Sequence, residues 1–279
     1  VKLTKSSLIG CLILLISLGL SHRAFADLAG SDDFNGASVD PTKWGSDIDS
    51  GVGIFTQTNG HLLFTTSGTP TSNDQAIHPW ILNQGSFTQD WSMQLDVNLP
   101  TQTLTGTQVL SIGLAAVNAS NMQDDMTMSL QQDVPNGTLY YSGFDINGTA
   151  QSPTEQGGLS GGLVSLQLSY SAAGHSITAY YDANGPTGGY TWTPFVTQDI
   201  SSWGMTSSDQ FLVAITAFSA NNLAVPSTSQ VWADNFQVPA SVPEPSSWIL
   251  FSAGFLGLMG IMRHRSPVRA RSAFCANEK

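Results

Sequence analysis

The residues of this chain that could do chemistry are few and poorly spaced for catalysis. Gly158-Leu159-Ser160-Gly161-Gly162 has the letters of a nucleophile elbow. Such a serine needs a strand before it and a helix after it. Here a loop-like stretch precedes, and an alternating strand pattern from Val164 to Tyr170 follows, so the match reads as accidental. His61, His78 and His175 lie far apart, without the spacing of a helical metal pair. Each is expected on the surface or opposite a neighbouring strand. Asp124, Asp125 and Asp133 are the acids that could serve a cleft. Adjacent residues of an extended chain point to opposite sides, so Asp124 and Asp125 cannot both face inward from a strand. Glu155 stands in a stretch, Gln151 to Gly162, rich in Gly, Ser and Pro and expected to form a long surface loop. No catalytic residue is assigned. Trp80, Trp91 and Trp192, with Trp203, fall near turns or strand ends. An exposed indole there could stack on a sugar ring, with core packing as the alternative for each.

The elements that must position these residues are strands. Met93, Leu95, Val97 and Leu99 alternate with Gln94, Asp96 and Asn98, and Val164, Leu166, Leu168 and Tyr170 alternate with Ser165, Gln167 and Ser169. Met126, Met128 and Leu130 repeat the period of two, the signature of half-buried strands. Phe211 to Phe218 is almost wholly apolar and is expected inside a sandwich. Asn59-Gly60, Asn136-Gly137, Asn147-Gly148 and Asn184-Gly185 supply positive φ for the turns. Residues 27–241 suit one domain large enough for a full core. The two cysteines, Cys11 and Cys275, lie outside that body, which must fold without disulfides. From Asp27 to Pro245 there are 17 aspartates and two glutamates against Lys43 alone, a net of −18 that the whole-chain value of −11 conceals. Such a charge repels nucleic acid and anionic polymers.

The positive charges are kept for the two ends. Lys2 and Lys5 precede an apolar core, Leu8 to Leu20, and Ala24-Phe25-Ala26 is a small-x-small cleavage site, so residues 1–26 read as a signal peptide. At the other end Val242-Pro243-Glu244-Pro245 leads into the uncharged run Trp248 to Met262, followed at once by Arg263, Arg265, Arg269 and Arg271. As a helix the run would span roughly 22 Å, short of a ~30 Å hydrocarbon core without help from flanking residues. The basic cluster puts that end in the cytoplasm and the body outside. Motif, span and arginines in this order resemble the PEP-CTERM sorting signal. The resemblance implies recognition by an exosortase-type protease, transient anchoring in the inner membrane through a transmembrane helix, and a cell-surface or extracellular destination. The division is then 1–26 signal peptide, 27–241 body and 242–279 sorting signal.

Two stretches of the body resemble a known fold. Asp32-Asp33-Phe34-Asn35, Asp40-Pro41-Thr42-Lys43-Trp44 and Asn59-Gly60-His61-Leu62-Leu63-Phe64 are similar to the opening of a concanavalin A-like sandwich, and Val231-Trp232-Ala233-Asp234-Asn235-Phe236-Gln237-Val238 to its closing strand. The resemblance implies an all-β jelly roll of two antiparallel sheets with first and last strands side by side. Phe34, Trp44, Leu63, Trp232 and Phe236 are expected as core anchors. Glucanases of this fold carry a Glu-x-Asp-x-x-Glu-type motif on one strand, setting two carboxyls ~5 Å apart for a retaining reaction. The matching strand here, Gln94-Leu95-Asp96-Val97-Asn98, has no glutamate. No cofactor is expected; the resemblance implies that the fold often holds calcium, for which Asp33 and Asp234 across the paired terminal strands are the candidate ligands, with capping of strand ends in water as the plainer reading of both. The expected function is a non-catalytic, exported, surface-associated sandwich binding extracellular polysaccharide. A structural or adhesive protein without a sugar site, and a glycoside hydrolase, are the alternatives.

Overall fold

In the computed structural model, the described residues are 30–238 except 160. The signal peptide, the sorting motif Val242 to Pro245, Arg263, Arg265 and the expected C-terminal helix lie outside them, as does Ser160 of the elbow-like stretch. Among the described residues no helix is long and apolar enough to cross a membrane.

Among the described residues sixteen strands run in chain order: β1 Ser31–Asp32, β2 Gly53–Thr58, β3 His61–Thr66, β4 Asn73–Ser86, β5 Trp91–Leu99, β6 Val109–Asn118, β7 Asp125–Asp133, β8 Gly137–Ser142, β9 Phe144–Ile146, β10 Thr149–Ala150, β11 Thr154–Leu159, β12 Gly162–Ser171, β13 Ser176–Asp182, β14 Thr193–Asp199, β15 Gln210–Ala220 and β16 Trp232–Gln237. The first sheet has the order β14-β13-β12-β5-β16-β3-β2, with β1 beside β16. The second has β10-β9-β7-β6-β15-β4, extended by β8 and β11. Every pairing is antiparallel, and the two terminal strands lie together, as a jelly roll requires.

The alternating patterns do what their period demands. Met93, Leu95, Val97 and Leu99 face Leu166, Leu168, Leu110, Ile112, Met126, Met128 and Leu130 in one continuous core. Asn59 and Gly60 both take positive φ, 53° and 77°, and close the two-residue hairpin between β2 and β3. The stretch expected as a loop differs: Thr154–Leu159 forms strand β11 against β8, with an irregular register around Gly157 and Gly158. Its composition hid it because an exposed edge strand needs no apolar face.

The opening motif turns out to be a structural clasp. Asp32 accepts the backbone N–H of Phe34 at 2.9 Å on one oxygen and the indole N–H of Trp44 at 2.9 Å on the other. Lys43, whose ammonium donates to the Ser31 carbonyl at 2.9 Å, sits beside them. Phe34 and Trp44 are thereby driven into the core, where Trp44 packs on Trp80 and Phe236. Phe34, Trp44 and Phe236 are core anchors as expected. Trp232 and Leu63 are not. They alternate with the core residues Ala233, Leu62 and Phe64, so the pleat turns them to the outer face of the first sheet.

Asp74 is a second clasp, wholly buried on β4, accepting the backbone N–H groups of Val52 and Thr71 and the Thr71 hydroxyl at 2.6–2.9 Å. Replacing Asp74 with alanine strands the backbone N–H groups of Val52 and Thr71, while the Thr71 hydroxyl keeps the Asn73 carbonyl at 3.0 Å. The expected loss is about 3 kcal/mol of folding stability, read as a lower urea midpoint.

Candidate functional site

The polar faces of four central strands of the first sheet bring together residues that are distant in sequence. Asp182 on β13 lies opposite Ser165 on β12, Ser165 opposite Asp96 on β5, and Asp96 opposite Asp234 on β16. The row continues on β3 with His61, whose Nδ1 is 3.4 Å from Asp234, and ends with Thr58 on β2. One row therefore joins two aspartates side by side, the spacing of a directly opposed cross-strand pair. Sequence reasoning missed it, because strand parity was legible but the partners of β5 and β16 were not.

The two acids are differently placed. Asp96 is 1% exposed. It accepts a short hydrogen bond from the Ser165 hydroxyl, one from the Asn235 amide at 2.7 Å, and a longer one from the Tyr190 hydroxyl at 3.4 Å. Asn235 can reach it because β16 bulges between Asp234 and Gln237 and Asn235 takes φ 50°. Tyr190 comes from the β13–β14 connection, both ends of which Asp182 ties down by accepting the N–H groups of Asn184 and Thr191. Burial raises the Asp96 carboxyl above its ordinary value, against the lowering effect of these donors. Burial and the Asp96 carboxylate push the Tyr190 phenol up to about 12, which keeps it a donor. Asp234 is also raised by burial, while the N–H of Asn235 and His61 pull it back down.

Beside this row a groove of about 310 Å³ opens on the same face, lined by Thr58, Asn59, His61, Leu63 and Trp232 and by Ser227, Thr228 and Gln230 of the short connection before β16. Trp232 and His61 stack at 4.0 Å and 8°. The lining is an aromatic and aliphatic floor with hydroxyl and amide walls and carries no carboxylate. Such a composition and volume suit a small, uncharged, amphipathic ligand.

The expected sugar-stacking tryptophans are not brought together. Trp80 is 0% and Trp91 is 7% exposed, and both lie in the core. Trp80 packs on Trp44 and Phe236, and Trp91 on Tyr170 and Phe211. These two offer no ring face to a ligand, because position near a strand end says nothing of which side the pleat presents. Trp203 is likewise buried. Trp192 is half-buried and stacks on Tyr190 at 5.2 Å, on the connection that covers Asp96.

The expected calcium ligands serve separate neighbours. Asp33 is exposed and accepts the N–H of Asn35 in its own turn, whereas Asp234 faces His61 and Asp96. Among the described residues no three His, Cys, Asp or Glu side chains gather to hold a metal ion.

The acids named as able to serve a cleft lie on the second sheet and beside it. Asp124 is buried and accepts from the amides of Asn118 and Asn121 and from the N–H of Asn147. Asp125 lies directly opposite Asp145 on β9. Burial, with Asp145 and Asp124 nearby, pushes its carboxyl up to about 6. The folded state thus prefers the neutral acid. Ionisation costs nothing below the unfolded value near 4 and its full penalty above about 6. Asp125→Asn is expected to stabilise the fold by about 1 kcal/mol at pH 7.5, after allowance for solvent around a half-buried group. That gain should fade as pH falls to about 4, as thermal midpoints across pH would show.

Residues 241–266 match the PEP-CTERM protein-sorting motif. No curated protein sequence matches the chain. Among solved structures, the potassium-bound carbohydrate recognition domain of Emp46p is similar at 11% identity and a TM-score of 0.49, over 78% of this chain and 99% of its own. A CBM2 module from the evolved Dit of Lactobacillus casei BL23 phage J-1 is similar at 14% identity and 0.48, over 75% and 92%. The xylan beta-1,4-xylosidase of Bacillus halodurans C-125 is similar at 13% and 0.47, over 76% of this chain, which spans 39% of the enzyme's length. By its matched segment and its own strand order, the chain carries a PEP-CTERM protein-sorting motif C-terminal to a sandwich of two antiparallel sheets.

Proposed function

We propose that this protein is an exported, surface-associated, non-catalytic sandwich, processed by an exosortase-type protease, that binds neutral extracellular polysaccharide. The observation that carries the reading is the groove on the outer face of the first sheet. There Trp232, stacked on His61, forms an aromatic floor between the hydroxyls and amides of Thr58, Asn59, Ser227, Thr228 and Gln230. A pyranose presents C–H faces and equatorial hydroxyls, and an aromatic floor with polar walls answers both. The body, residues 27–241, holds 17 aspartates and Glu155 against Lys43, and its net charge of −17 favours an uncharged polymer over an acidic one.

A non-catalytic role is supported by the state of Asp96 and Asp234, the opposed acids beside the groove. Hydrolysis needs both carboxyls in reach of the glycosidic oxygen and the anomeric carbon. Asp96 is sealed under Tyr190 and saturated by Ser165 and Asn235. Glu155 lies on the edge strand β11 of the second sheet, outside this row.

The test is a glycan array followed by calorimetry on residues 27–241, whose core closes within residues 30–238. Binding of neutral glycans without release of reducing ends is the expected result. Absence of binding together with self-association would instead make the protein an adhesive or structural surface component. Reducing sugar released from the bound polymer would make it a hydrolase.

A further inference from the structure

A second groove, of about 370 Å³, opens at the same end of the sandwich. The β5–β6 connection lines it with Gln102 and Leu104, the β7–β8 turn with Asp133, Val134 and Pro135, and β11 with Leu159. Its polar groups are neutral or already engaged. Asp133 accepts from the N–H and the amide of Asn136 and from the amide of Gln131 at 3.1–3.4 Å. Val134, 42% exposed, holds an apolar side chain at its rim.

The two grooves share a wall. The Gln102 amide donates to the carbonyls of Ser229 at 3.3 Å and Pro100 at 3.0 Å, and its backbone N–H donates to the Gln132 side chain at 2.9 Å. Gln132 in turn donates to the carbonyls of Leu99 and Pro100. Ser229 ends the single 3-10 turn Ser227–Ser229, whose Ser227 and Thr228 line the first groove. The Asn98 amide adds a bond to the Gln230 carbonyl at 2.8 Å, pinning the same turn to β5. A hydrogen-bonded brace from Gln102 to Ser229 therefore stands between two concave, amphipathic surfaces, the first lined by no carboxylate and the second by Asp133 alone.

We propose that the second groove is a further subsite for the same polymer, so that the protein grips an internal stretch of a neutral polysaccharide laid over the Gln102–Ser229 brace rather than a single sugar or chain end. The inference rests on the sugar-binding reading of the first groove. Two linked weak sites multiply in affinity once one ligand spans both. Affinity must therefore climb with chain length past what one groove can hold, and then level off.

The experiment is calorimetry on residues 27–241 with cello-, laminari- and dextran-oligosaccharides of increasing length, from disaccharides to octasaccharides. Expected is a gain of at least about tenfold between the shortest and longest members of the series that binds. Val134→Asp, a change at an exposed side chain, should remove that gain while leaving the short members and the thermal midpoint unchanged. Val134→Ala should keep most of it. Length-independent affinity that still depends on Trp232 would overturn the second subsite and leave the first groove standing. Failure of every series to bind the unaltered protein would remove both.

Discussion

Replacing Trp232 with alanine should weaken polysaccharide binding by about thirtyfold or more, with the fold intact. The indole supplies the floor of the groove and stacks on His61, so its loss removes the large apolar surface against which a sugar ring would be desolvated. Aromatic anchors at the centre of a binding patch cost about 2 kcal/mol or more on truncation, and 1.4 kcal/mol is tenfold in affinity. Stability should fall little, since Trp232 projects from the outer face and contributes nothing to the core between the sheets. Trp192→Ala is the matched control, as it removes a half-buried indole of the β13–β14 connection and leaves the groove lining whole. Isotherms for the two variants decide the location. If Trp192→Ala abolished binding while Trp232→Ala did not, the site would move to the Tyr190–Trp192 stack and the assignment of the groove would fall.

The opposite pattern is expected of Trp80→Ala: a large loss of stability, and loss of binding only as the protein unfolds. Trp80 is wholly buried and packs edge-on against Trp44 at 4.8 Å and tilted against Phe236 at 5.0 Å. Emptying that volume costs the transfer energy of the ring and the cavity it leaves, about 3–5 kcal/mol for a buried tryptophan. A domain of this kind has about 5–15 kcal/mol in total, and no disulfide within the body offsets the loss. Trp80→Phe should cost markedly less. It keeps a ring in place and removes an indole N–H that is buried without an acceptor. Equilibrium urea denaturation of both variants measures the difference. A Trp80→Ala protein as stable as the parent would mean that the aromatic cluster of Trp44, Trp80 and Phe236 does not anchor the sandwich.

Much of the sandwich was legible along the chain. The period of two in β5, β7 and β12 named the inward residues correctly because a pleated strand has only two sides; the apolar run 211–218 obeys the same rule, with Phe211, Val213, Ile215 and Ala217 in the core and Leu212, Thr216 and Phe218 half-buried on the other side. The Asn59-Gly60 hairpin followed from local chemistry alone, since both turn residues need positive φ. The sorting motif was equally local, a matter of charge and apolar length with no tertiary partner required. The resemblance at residues 32–44 was sound, although its aspartate serves the Trp44 indole rather than any ligand.

Tertiary structure decided the rest, and for one reason: register between strands distant in sequence leaves no trace in either strand. Asp96 and Asp234 are 138 positions apart, yet the β5–β16 ladder sets them opposite each other. His61 and Trp232 form the groove floor only because β3 pairs with β16. The same pairing turned Trp232 from expected core anchor to a residue of the outer face that lines the groove, and packing between sheets took Trp80 and Trp91 from candidate platforms into the core. Composition and alternation are properties of single strands and can be read one strand at a time. A site assembled from four of them exists only after the sheet has closed.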